Sequence, residues 1–132
     1  MRGVDTNVLV RYFTADHPVQ LALSHKALEE SERDGEPLFV AVIVLCELIW
    51  VLARTYGHKK PAIAHALSLM LEMDLFQIEH HELVRRALDA YRSGRGNFSD
   101  YMIREINMHY GCRDVVTFDL ALKGSAGFKV LG

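Results

Sequence analysis

LFVAVIVLCELIWVLA, residues 38–53, holds fifteen apolar side chains and one acid, Glu47, near its middle. Its sixteen residues fall short of the ~20 that span a bilayer, and an acid near the centre adds a penalty of about 2.5 kcal/mol or more. The stretch therefore belongs in a protein core. LFVA reads as a buried β-strand, and the remainder as a helix running to TYG with Gly57 placed to close it. Burying a carboxylate unpaired would cost several kcal/mol. Glu47, flanked by apolar residues, is expected either to form a buried ion pair with Arg11 or Arg104 or to belong to a site.

The same alternation continues outward. Met1–Val4 is a brief apolar run, followed by Val8, Leu9, Tyr12 and Phe13 at helical spacing. A second helix follows Pro18, carrying Leu21, Leu23, Ala27 and Leu28 up to the polar stop ESERDGEP. Beyond the central stretch, Pro61 opens a helix through Ala66, Leu67, Met70 and Leu71, and LFQIE supplies a third strand by period-two alternation. A helix from about His81 to Tyr91, the loop RSGRGN and the helical FSDYMIREINMHYG come next. DVVTF and FKVL read as fourth and fifth strands around a helical turn near LALK. Strands alternating with helices predict an α/β fold with a mostly parallel sheet covered on both faces. No repeat or linker divides the chain, so residues 1–132 are expected to form one domain.

Half of the 132 residues are hydrophobic and a quarter charged, the composition of an ordinary globular protein. A net charge of −2 argues against a broadly basic surface wrapped around nucleic acid, while leaving room for a basic rim beside an acidic pocket. Cys46 and Cys112 have neither zinc-ligand nor CxxC spacing, and Cys46 reads as core. Two cysteines make no disulfide framework, and no signal peptide or membrane span is visible, so a cytoplasmic protein is expected.

In open sheets of this kind, ligands sit outside the carboxyl ends of the strands. Asp5 follows the first strand, Glu47 lies in the helix after the second, Asp100 opens the helix before the fourth, and Asp119 follows the fourth. All four map to one edge. Each aspartate alone could simply cap a helix, and Asn97 with Asp100 resembles a capping box. Gathered within ~5 Å, however, carboxylates repel by about 3 kcal/mol per pair at an effective dielectric of 20, so a proton or a cation must enter. Oxygen donors without paired His or Cys favour Mg²⁺ or Mn²⁺ over zinc. Such an ion would lower the pKa of a bound water and neutralise charge on a phosphate under attack.

VDTNVLVRYF, VLCELIWVLARTYG, NFSDYMI and VVTFDLAL resemble, in order, the four acidic blocks of PIN-domain proteins, most closely the VapC-type toxins of bacterial toxin–antitoxin pairs. The resemblance covers essentially the whole chain. It implies a three-layer α/β/α sandwich around a mostly parallel five-stranded sheet, and a metal-dependent endoribonuclease. Asp5 and Asp100 would be the principal ligands of Mg²⁺ or Mn²⁺, with Glu47 and Asp119 completing the acidic centre. A metal-activated water would cut the RNA phosphodiester, leaving a 5′-phosphate and a 3′-hydroxyl. Asn7 and Thr117 stand where relatives place polar residues that orient the acids or bound water. The resemblance further implies a homodimer and a small VapB-like antitoxin whose tail blocks the site.

Arg92 and Arg95 precede Asp100 in YRSGRGNFSD, where they could hold RNA phosphates while the glycines let the loop approach, or could be solvated loop charges. His80 and His81 diverge on a helix and lack a third ligand. Trp50, Tyr56 and ALSLMLEM read as core, with a partner surface as the other reading. The competing function is a Mg-binding regulatory or RNA-binding α/β module without turnover. A receiver domain would need an Asp after strand three, where LFQIEHH has none, and DTN breaks the DxD of haloacid-dehalogenase-type phosphatases.

Overall fold

The computed structural model describes residues 1–132 as two compact units, 1–81 and 82–132. The first contains β1 (Arg2–Gly3), α1 (Thr6–Phe13), α2 (Pro18–Asp34), β2 (Leu38–Val40), α3 (Val42–Arg54), α4 (Lys60–Glu72) and β3 (Phe76–Ile78). The second begins inside α5 (His81–Ser93) and continues with α6 (Phe98–His109), β4 (Val115–Thr117), a 3-10 turn at Leu120–Leu122 and β5 (Phe128–Val130). No helix is long and apolar enough to cross a membrane.

In the first unit β2 is the central strand, paired in parallel with β1 on one side and β3 on the other. Leu38 and Val40 are buried, as a strand inside a parallel sheet requires. Only Ala41 separates β2 from α3. Val42, Leu45, Leu48, Ile49 and Leu52 form the buried stripe of α3, and Ile63, Ala64, Leu67, Met70 and Leu71 that of α4, which packs on it. Burial of each large aliphatic contributes about 1.5–3 kcal/mol. At the start of α2, Pro18 stands in the first turn; at its end, left-handed Gly35 (φ 65°) lets the Glu36 amide reach the Ser31 carbonyl at 2.9 Å.

Two expectations about the central stretch change here. Trp50 is 61% exposed, and Glu47 is exposed as well. Ile43, Glu47, Trp50 and Arg54 recur at helical spacing on the outer face of α3. A 13-residue helix can turn only one face to its own core, so near-continuous apolarity did not amount to burial all round. Cys46, beside that face, is half-buried, and desolvation pushes its thiol pKa up, the behaviour of an unreactive thiol.

In the second unit, α5 buries Leu83, Val84, Ala87, Leu88 and Tyr91, and α6 buries Phe98, Tyr101, Met102 and Glu105. β4 and β5 form a parallel pair, with Thr117 opposite Val130. Arg104 fastens α6 to the turn before β5: its guanidinium donates to the Ala126 carbonyl at 3.1 Å, lies 5.3 Å from the Tyr101 ring centroid, and pairs with Glu105 at 3.4 Å. The five strands stand where the sequence places them, but as sheets of three and two rather than as one ladder of five. Each strand is only two or three residues long, so each supports few ladder bonds.

Candidate active site

Asp5 directly follows the β1 ladder, which the Val4 amide extends by donating to the Phe39 carbonyl at 3.1 Å. It is the N-cap of α1, with Oδ1 accepting from the Thr6 amide at 2.8 Å. Asn7, two residues on, is exposed and lines a cavity of about 260 Å³ together with Arg11, Gln20 and Leu23. Glu47 projects from the second turn of α3. Its two expected partners are engaged elsewhere: Arg11 with Gln20, Asp16 and Tyr56, and Arg104 with Glu105 and Ala126. The ion-pair reading of Glu47 therefore loses both its candidates, and its premise of burial with them.

The acids of the second unit are held locally. Asp100 reaches back from the first turn of α6, where its Oδ2 accepts from the Asn97 amide at 2.8 Å, half of the expected capping box. Asp119 caps the 3-10 turn, with Oδ1 accepting from the Ala121 amide at 2.9 Å. Its own amide donates to Thr117 Oγ1 at 3.0 Å, so Thr117 sets the turn on which Asp119 stands. All three aspartates thus do the capping that local chemistry predicts. Each uses one carboxylate oxygen for it, and the other oxygen stays available to a hard cation.

Asp5 and Glu47 belong to the first unit, and Asp100 and Asp119 to the second. Neither unit by itself gathers three or more His, Cys, Asp or Glu side chains that could hold a metal ion. His81 is drawn into the fold through Nε2 against the Leu71 carbonyl at 2.8 Å, and His80 sits in the left-handed region at φ 51°.

In the loop before Asp100 the glycines have an intramolecular role as well. A Cβ on Gly94 would fall on the Tyr101 hydroxyl, and one on Gly96 would lie 2.6 Å from Leu122 and 3.1 Å from Asp100 Oδ2. The Gly96 amide donates to the same hydroxyl at 3.0 Å. These glycines let the loop approach Tyr101 and seat Asp100. Arg92, before the glycines, and Arg95, between them, remain exposed.

One acid escaped sequence reasoning. Glu79, the residue after β3, accepts from the Val42 amide through Oε1 at 2.9 Å, and so caps α3 from 37 residues away. Ala41, the N-cap by position, has no side chain able to do this. The only hint in the sequence was that α3 starts without a Ser, Thr, Asp or Asn of its own.

A sequence model of the PIN domain matches residues 4–126, running through both units. The chain is also 28% identical over 131 residues to the VapC ribonuclease of Aquifex aeolicus (strain VF5), an alignment covering 99% of this chain and 96% of that protein.

Proposed function

The chain belongs to the PIN domain family, and from that premise we propose that it is a VapC-type toxin, an endoribonuclease that hydrolyses RNA phosphodiesters with Mg²⁺ or Mn²⁺. The observation that carries this reading is the free oxygen on each of three capping aspartates, together with an exposed glutamate, on a chain aligned end to end with a ribonuclease. The donor set is all carboxylate, which suits a hard divalent ion.

In this reading residues 1–132 act as one catalytic domain of the α/β class that the family implies. Asp5 and Asp100 are the principal ligands, and Glu47 and Asp119 complete the centre. When bound, the ion supplies Lewis-acid chemistry: it acidifies water and neutralises charge on the phosphate. The protein orients the acids. The Thr6, Asn97 and Ala121 amides each hold one carboxylate oxygen, restricting the rotamers from which the other can ligate. Thr117 fixes the turn that carries Asp119, and Asn7 lends a polar group beside Asp5. Arg92 and Arg95 supply positive charge to RNA phosphates. Hydrolysis consumes one water, breaks the P–O3′ bond, and leaves a 5′-phosphate and a protonated 3′-oxygen.

The wider reading is a homodimer in the cytoplasm, restrained by a small VapB-like antitoxin. The test is direct. Purified protein with Mg²⁺ or Mn²⁺ should cut total RNA or a tRNA panel, and cutting should stop on chelation and with Asp5→Ala or Asp100→Ala. Expression should arrest growth until a neighbouring small open reading frame is co-expressed. Wild type and variants behaving alike in both assays would sink the nuclease reading and favour a binding module without turnover.

A further inference from the structure

The strand-to-helix junction Val40–Ala41–Val42 is gripped on both sides by one residue. The Glu79 amide donates to the Val40 carbonyl at 3.0 Å, extending the β2–β3 ladder past Ile78. The Glu79 carboxylate then accepts from the Val42 amide at 2.9 Å, the first residue of α3. Ala41, the single residue between strand and helix, is thereby bracketed. The first turn of α3 contains no acid and its N-cap no side-chain acceptor, so Glu79 is what meets the positive end of this helix.

We infer that Glu79 is a positioning residue for Glu47, and this rests on Glu47 serving the metal centre as proposed above. The reason is mechanical. Glu47 is exposed, and neither neighbouring turn carries a polar group bonded to it, so its place is set by the position and rotation of α3 alone. A helix joined to its strand by one residue has its first turn placed at that joint, while the buried stripe of α3 carries the rest of its packing. Glu79 closes the joint by tying it to β3, the strand on the far side of β2 from β1, which leads into Asp5. The grip therefore registers Glu47 to the sheet edge that carries Asp5. Glu79 need not touch the ion: its carboxylate faces an amide already, and it acts through the helix.

The experiment is a double-mutant cycle read by Mn²⁺ binding to the full chain, followed by electron paramagnetic resonance, with melting temperature, RNA cleavage and amide exchange of the first turn of α3 measured alongside. Glu79→Ala should weaken Mn²⁺ binding about tenfold, the scale of losing an outer support of a metal site, and should speed exchange at residues 42–45. Glu79→Gln keeps an oxygen acceptor at the same reach and should stay within about twofold of wild type. Glu79→Asp keeps the charge but withdraws the acceptor by one methylene, and should resemble Glu79→Ala. In the Glu47→Gln background, Glu79→Ala should add no further loss. Full additivity of the two losses would instead make Glu79 an independent acid of the centre and overturn the inference. So would a fall in melting temperature with Mn²⁺ affinity unchanged, or Glu79→Gln as damaging as Glu79→Ala. Wild type that binds no Mn²⁺ and cuts no RNA would bring down the functional reading itself, and this inference with it.

Discussion

Asp100 and Asp119 in the second unit are placed by bonds that reach two or three residues along the chain, whereas Glu47 in the first has no bond of its own and depends on a contact spanning 37 residues. Both kinds of acid sit at the start of helical structure. The aspartates are themselves the caps, so removing one disturbs the local fold and the donor set together. Glu47 stands a turn further in, on a helix capped by another residue, so its chemistry and its structural support can be separated by mutation. A site built from both kinds should show two patterns of failure.

Asp100 offers the largest effect with which to break this contrast. Asp100→Ala should reduce RNA cleavage by about a thousandfold, the scale on which single charge-stabilising groups are lost, and should also destabilise α6 by about 1 kcal/mol through the missing cap. Asp100→Asn should lose comparable activity with a melting temperature near wild type, because its carbonyl still accepts from Asn97. Equal melting temperatures for the two variants would mean that the 2.8 Å bond contributes nothing.

Glu47→Gln should separate the two functions in the opposite sense. Mn²⁺ affinity should fall about tenfold, while stability stays within about 0.5 kcal/mol, as for surface positions elsewhere. A large drop in melting temperature at unchanged metal affinity would restore a structural role for this carboxylate.

Thr117 tests local placement without touching a ligand. Thr117→Val removes the acceptor for the Asp119 amide and should lower stability by about 1 kcal/mol and slow cleavage, with Thr117→Ser restoring both. Loss in both variants alike would show that the hydroxyl is not what matters.

The smallest effect belongs to a second long-range contact of the first unit. The Tyr56 hydroxyl donates to Asp16 at 2.8 Å across 40 residues, and this bond is the largest cause holding the Asp16 carboxyl below its usual 3.8. A depressed carboxylate pKa stabilises the fold above the unfolded value and loses that contribution as pH falls through the folded value. Tyr56→Phe should therefore move the Asp16 midpoint up toward 3.8 in an NMR titration, and the stability gap between variant and wild type should narrow in acid below that pH. An unmoved midpoint would assign the shift to Thr14 and Arg11 instead.

Much of this molecule was readable from the chain alone because the determining interactions are short. Pro18 and Gly35 bound α2 through φ preferences that belong to those residues, and Asp5, Asp100 and Asp119 cap what immediately follows them. The alternation of apolar periods placed every strand and helix, and the order of the acids carried the family. What tertiary structure decided is which face of each element meets a neighbour. It turned Glu47 and Trp50 outward from a stretch apolar enough to read as wholly buried. It set Gly94 and Gly96 against Tyr101, a contact seven or five residues along that no local pattern announces. It brought Glu79 to a helix that its own sequence leaves uncapped. Propensity and capping act over a few residues and are written locally, whereas burial and long-range hydrogen bonds depend on where the rest of the chain has gone.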